Sequence, residues 1–183
     1  MLVFLDFEAS SLGKRSYPIE VAWVFEDGRS EAHLIRPAPA WDDWDHAAEA
    51  IHHIPRATLL ERGAPHDEVA RRMLEALTGH DLLASAPSWD GKWLSTLLRA
   101  AGLPRHSLRL RDSDDARREA ARAVLAHRVP PAQLDATIEE ILVHADMQAR
   151  TPPAHRALAD AQDEHERWAA VRASATVWAS AGS

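Results

Sequence analysis

Hydrophobic and polar positions follow two different periods along this chain. Residues 2–8 (LVFLDFE) form a nearly continuous apolar run of strand length, which predicts a buried strand. A serine- and glycine-containing loop follows at 9–17. Residues 18–26 (PIEVAWVFE), dense in Val, Ile and aromatics, predict a second strand. Asp27-Gly28 is the strongest hairpin signal in the chain. Residues 29–36 return as a third strand, ended by Pro37 and Pro39, so the first part of the chain reads as an antiparallel meander.

Beyond residue 37 the period lengthens. Short helical turns are expected over 47–60, interrupted at Pro55. A helix is expected over 65–77, where Val69, Met73, Leu74 and Leu77 recur at helical spacing before Gly79. Residues 81–85 predict a fourth strand, and Ser88 a cap for a helix running to about Ala101, stopped by Gly102 and Pro104. Residues 107–111 predict a fifth strand. Helices are then expected from Ser113 to about His127, over 132–148, and from about Ala154 to Trp178, separated by Pro130-Pro131 and by Thr151-Pro152-Pro153. A meander followed by alternating helix and strand predicts an α/β fold, a mixed five-stranded sheet flanked by helices. No repeat, low-complexity tract or linker divides the 183 residues, so one domain over 1–183 is expected.

Composition narrows the chemistry. The chain has no cysteine, which excludes a disulfide framework, a cysteine zinc site and a thiol nucleophile. The start of the chain lacks the pattern of a signal peptide, and no apolar run reaches the length of a membrane span. A cytoplasmic protein without membrane contact is expected. The net charge of −7 argues against broad non-specific binding to nucleic acid. It is compatible with an enzyme whose site is itself acidic: four carboxylates filled by two divalent cations would bring −7 up by four, to −3. Lys14 and Lys92 are the only lysines; the other basic residues are Arg, the better bidentate phosphate ligand.

Three places carry candidate chemistry. Asp6 and Glu8 sit two residues apart in the first strand, which puts both on one face, roughly 7 Å apart along the backbone. Two acids in an apolar strand are costly unless a cation binds them; an edge strand with two solvated acids is the alternative. Asp90 stands at the start of an apolar helix, where the macrodipole favours a carboxylate with or without a further role. His155 and Asp160 are five residues apart. That is about 500° of helix, so they do not share a helix face, and the histidine is expected on the loop before it.

Taken in order, these residues resemble the DEDDh (DnaQ-like) family of 3′–5′ exonucleases, which has a ribonuclease-H-like fold. The first motif of that family, Asp-x-Glu on the first strand, is matched by Asp6-Phe7-Glu8; the Asp of the second by Asp90; and the His and Asp of the third by His155 and Asp160 in His-Arg-Ala-Leu-Ala-Asp-Ala. Ala9-Ser10-Ser11-Leu12 resembles the loop after the first motif, Pro18-Ile19-Glu20-Val21-Ala22 the second strand, and Ile51-His52-His53-Ile54 an Ile-His-Gly-Ile segment. The chain departs from the family at His53, where glycine is usual. It departs again at Ser85-Ala86-Pro87-Ser88-Trp89, where the family often has His-Asn-Ala-x-Phe.

The resemblance implies a metal-dependent 3′–5′ exonuclease that releases nucleoside monophosphates from single-stranded DNA or RNA 3′ ends. Asp6, Glu8, Asp90 and Asp160 would hold two divalent cations, Mg²⁺ or Mn²⁺, about 3.5–4 Å apart. His155 would be the general base, since an imidazole exchanges its proton near neutral pH. Ala9, Ser10, Ser11, Leu12, His52, His53 and Ile54 would contact the terminal nucleotide. Two other readings stand beside this one: a catalytically idle nucleic-acid-binding domain, and a carboxylate-metal phosphoesterase acting on small nucleotides. The helices at 114–148 and 154–178 offer an interface for a homodimer. Trp41 and Trp44 are expected to pin a polar loop, with stacking on bases as the alternative, and 163–167 (DEHER) to be a solvated helix face. Arg105, Arg109 and Arg111, near Lys92, read equally as phosphate guides or as a solvated strand edge.

Overall fold

The computed structural model describes residues 1–148 and 154–181. The meander forms as the apolar pattern requires: β1 (Leu2–Ala9), β2 (Pro18–Phe25) and β3 (Ser30–Arg36) are antiparallel. Gly28, at φ 87°, turns the chain between β2 and β3, a conformation open to glycine without steric cost. Two short helices follow, α1 (His46–His52) and α2 (Arg56–Arg62), then β4 (Ala64–Pro65) and α3 (His66–Leu77). The second part continues with β5 (Asp81–Ala84), α4 (Pro87–Ala100), β6 (Leu110–Asp112), α5 (Ser113–Leu125), α6 (Pro131–Gln148) and α7 (Ala157–Ala181).

Among the described residues the sheet has six strands in the order β4-β3-β2-β1-β5-β6, not the five expected. The additional strand, β4, pairs in parallel with Ile35 and Arg36 of β3. At two residues it is too short to show any periodicity. Its signature is instead Gly63: a Cβ there would lie 2.4 Å from the Leu59 carbonyl oxygen and 2.6 Å from the Arg36 nitrogen. Three boundaries also move. The fifth expected strand forms at Leu110–Asp112 rather than 107–111, and Leu108 joins the core instead. Helix α4 begins at Pro87 with Ala86 as its N-cap, not Ser88, consistent with the preference of proline for the first helical turn. Helix α7 begins at Ala157, leaving His155 on the preceding loop as expected. The break at Thr151-Pro152-Pro153 lies outside the described residues.

Alternation along β1 assigns the two faces of the sheet. Val3, Leu5 and Phe7 pack with Val69 and Met73 of α3 and Leu94 and Leu97 of α4. Phe4, on the opposite face, meets Trp168 of α7 at 5.8 Å between ring centroids. Asp6 and Glu8 share the face of Phe4, so the side that α7 covers is also the side that carries the acids. The loop of Trp41 and Trp44 is pinned as expected: Trp41 stacks on Tyr17 at 5.0 Å, and Trp44 Nε1 donates to Glu49 at 2.7 Å. Among the described residues, no helix is long and apolar enough to cross a membrane.

Candidate metal centre and substrate cleft

Three elements converge on the end of β1. β1 supplies Asp6 and Glu8. Helix α4 supplies Asp90 from its first turn, buried at 2 % exposure. The loop and first turn of α7 supply His155 and Asp160. One ligand atom from each of Glu8, His155 and Asp160 lies within 4.8 Å of the others. Asp6, Glu8, His155 and Asp160 line one cleft of about 380 Å³.

The loop before α7 is bent to make this meeting possible. His155 has φ 52°, unusual for a residue with a Cβ. The Asp160 carboxylate reaches back over it, accepting from the amides of Ala154 (2.8 Å) and Arg156 (3.2 Å). Arg156 donates to Glu20 on β2 through Nε (3.1 Å) and Nη2 (2.7 Å), and the Ala157 amide donates to the same carboxylate at 3.0 Å. Glu20 is buried at 4 % exposure. It is the residue that sequence reasoning passed over, although an acid inside an all-buried strand was its visible signal.

Electrostatically the cluster is a crowd of buried acids. Burial and repulsion from Asp90, Glu8 and Asp160 raise the Asp6 carboxyl well above its usual range. Burial, with Asp160 and Glu20 nearby, pushes Glu8 up to about 8. Asp90 is pushed up to about 7, mainly by burial, and its buried Oδ2 has no hydrogen-bond partner among the described residues. Burial and mutual repulsion make the charged forms of these carboxylates costly, and a bound divalent cation would offset both. An all-oxygen set plus one imidazole suits hard divalent cations such as Mg²⁺ or Mn²⁺.

A second, smaller pocket of about 220 Å³ adjoins the first and shares Phe7, Glu8 and His155 with it. Ala9, Ser11, Leu12 and His52 also line it. Leu12 is 71 % exposed, so it is no part of the core. The buried His52 ring accepts the Ile54 amide at Nδ1, 3.1 Å, which places its proton on Nε2, and Nε2 has no partner among the described residues. The remaining expected contacts lie outside this pocket. Ser10 is buried, and its hydroxyl accepts the Tyr17 amide. Ile54 is core beside Tyr17, Ile19 and Leu59, and the His53 side chain is exposed. Ser11 is also committed to the loop, donating to Asp43 at 2.5 Å.

Two expectations about charge change. The 163–167 segment is not simply a solvated face, because Asp163, Glu164 and Arg167 line the larger cleft. The signal was their spacing of three, four and seven residues from Asp160. Arg111 is paired with Asp81 (2.7 Å) and Glu119 (2.8 Å). Lys92 donates to the Gly13 carbonyl (2.6 Å) and Ser16 hydroxyl (2.8 Å). Both cations therefore bind the protein itself.

No protein-family model matches the chain, and no curated protein matches it by sequence. Solved structures do resemble it. A moderately thermophilic Exonuclease I from Methylocaldum szegediense superposes with a TM-score of 0.64 at 19% identity, over 91% of this chain and 39% of that one. E. coli Exonuclease I in complex with a dT13 oligonucleotide gives 0.54 at 17% identity, over 65% of this chain and 29% of the other. A product-bound exonuclease I gives 0.54 at 17%, over 68% and 32%. The chain thus spans well under half the length of these enzymes, and what it shares with them is an α/β fold built on the same kind of mixed sheet.

Proposed function

We propose that this protein is a divalent-metal-dependent 3′–5′ exonuclease of the DEDDh type, acting on single-stranded nucleic acid. The observation that carries the reading is the meeting of Asp6, Glu8, His155 and Asp160 in one cleft, with the buried Asp90 acting on Asp6 from α4. The Exonuclease I fold and the oligonucleotide bound in one of those structures support it.

Asp6, Glu8, Asp90 and Asp160 would hold two divalent cations, which would neutralise charge on the attacking and leaving oxygens of a phosphodiester. His155 takes the proton of the attacking water. It stands on a loop whose shape is fixed from both sides, by Asp160 through the neighbouring amides and by Glu20 through Arg156. The terminal nucleotide occupies the smaller pocket, with Leu12 against the base and the His52 ring in its wall. Because this pocket shares Glu8 and His155 with the larger cleft, a nucleotide seated there places its 5′ phosphodiester at the carboxylates.

The test is a time course with matched 5′- and 3′-labelled DNA and RNA oligonucleotides, in Mg²⁺ or Mn²⁺ against EDTA. A 5′-labelled strand should shorten one nucleotide at a time, while a 3′ label leaves at once as mononucleotide. Cleavage that ignores EDTA, or that persists undiminished in Asp6→Ala, would overturn the assignment.

A further inference from the structure

The charged stripe on α7 does not end at Asp160. Asp163, Glu164 and Arg167 follow on the same helix face and line the cleft of Asp6, Glu8 and His155. Glu164 accepts the Ser113 hydroxyl at 2.6 Å and adds a negative charge to those acting on Asp6. Arg167 donates through Nε to Asp163 at 2.6 Å, and its side chain is only 25% exposed. Its two Nη groups make no hydrogen bond among the described residues. A guanidinium fixed at one edge, half-buried, with its other donors unpartnered, is a ready anion contact.

Charge balance calls for such a contact. With Asp163 and Glu164 the site gathers six carboxylates, Asp6, Glu8, Asp90, Asp160, Asp163 and Glu164, against four positive charges from two divalent cations. Two negative charges remain, in a place where a phosphodiester must enter. The guanidinium of Arg167 offsets one of them. The two pockets also lie in series, sharing Glu8 and His155: the smaller runs toward Leu12 and His52, the larger toward Arg167. A strand whose last nucleotide fills the smaller pocket crosses the carboxylates and continues into the larger.

We propose that Arg167 is a substrate-binding residue whose Nη groups take a backbone phosphate near the 3′ end, with Asp163 fixing the guanidinium. The proposal rests on the nuclease reading above and adds to it a phosphate contact outside the four carboxylates and the histidine. The rival is a purely internal role, in which Arg167 only neutralises Asp163 and Glu164.

Neutral methylphosphonate linkages separate the two. Equilibrium binding of a short thymidine oligonucleotide is measured in Ca²⁺ for wild type, Arg167→Ala and the near-isosteric Arg167→Gln, with thermal melts confirming that each variant is folded. Strands carry a methylphosphonate singly at the first, second or third linkage from the 3′ end. The all-phosphate strand should lose about tenfold in affinity for either variant, as removal of a charged hydrogen bond does. At one modified linkage, wild type and variants should bind alike. An equal penalty at every linkage, no penalty at all, or a wild type that does not bind overturns the proposal. A wild type that binds but does not hydrolyse the unmodified strand in Mn²⁺ overturns the nuclease reading instead, and the linkage comparison still decides Arg167.

Discussion

Glu8 and Glu20 stand directly opposite one another across the β1–β2 pair, and among the described residues only Glu20 receives a hydrogen-bonded cation. Like charges facing across strands are destabilising. Arg156 and the Ala157 amide satisfy Glu20, while Glu8 faces the cleft with Asp160 and His155. Glu20 is thus the fixed end of a strut whose other end is the loop carrying His155. Glu20→Gln should cost about 1–3 kcal/mol of stability, since it weakens charge-assisted bonds at a buried site. It should also slow hydrolysis by about tenfold or more by loosening His155 and Asp160. Thermal melts and single-turnover rates at saturating cation check both; a variant that loses stability with an unchanged rate would dismiss the strut.

The raised carboxyls set a pH dependence of stability. In the folded protein Glu8 moves from 4.5 to about 8 and Asp90 from 3.8 to about 7, and Asp6 is also raised. Between those limits the native state binds protons that the unfolded chain has released, so unfolding free energy falls as pH rises. In EDTA the melting temperature should therefore drop from about pH 5 to about pH 8. Acids held low by arginine, such as Glu31 beside Arg72 and Asp67 beside Arg71, titrate below that window and do not mask the trend. Mn²⁺ should raise the melting temperature most at the alkaline end, because cation binding displaces those protons. A flat EDTA profile would contradict the crowded-acid description of the site.

Removing one of these charges should uncouple stability from activity. Asp6→Asn deletes the group that feels Asp90, Glu8, Asp160 and Glu164 together, at nearly constant volume. The metal-free variant should melt higher than metal-free wild type at about pH 8, yet hydrolyse at least about a hundredfold more slowly, as loss of a central electrostatic group does. Melts in EDTA and rates in Mn²⁺ report the two effects separately.

The four acids and the histidine stood out in the sequence because their order along the chain resembles one family's motifs; taken singly, a strand with two acids, a helix start and a loop after prolines each had a plain alternative. The meander was legible locally, its apolar runs bounded by Asp27-Gly28 and Pro37. What escaped depends on two elements meeting. β4 exists only because Gly63 lets the chain lie against Arg36. Glu20 finds Arg156 at a separation of 136 residues. The charged stripe at 163–167 looks like any solvated helix until α7 is laid over the face of β1 that carries Asp6. Arg111 and Lys92 looked available for phosphate until Asp81 and Gly13 came near them.

Two histidines with positive φ allow backbone strain to be separated from chemistry. His53 closes α1 at φ 55°, ψ 30°, with its amide donating to Glu49 at 2.8 Å and its side chain exposed. His155 sits at φ 52° beside the carboxylates. A left-handed conformation costs a residue with a Cβ about 1–2 kcal/mol relative to glycine, against about 0.5–1 kcal/mol for the greater freedom glycine loses on folding. His53→Gly and His155→Gly should therefore each gain about 0.5–1 kcal/mol, a rise of about 1–4 °C for a chain of this size. His53→Gly should keep its nuclease rate. His155→Gly should lose about 10²–10⁴-fold, the contribution of a general base, and a partial return of rate with added imidazole would identify the ring rather than the loop as the missing part. If both variants lose the same activity, or neither does, His155 is not the base.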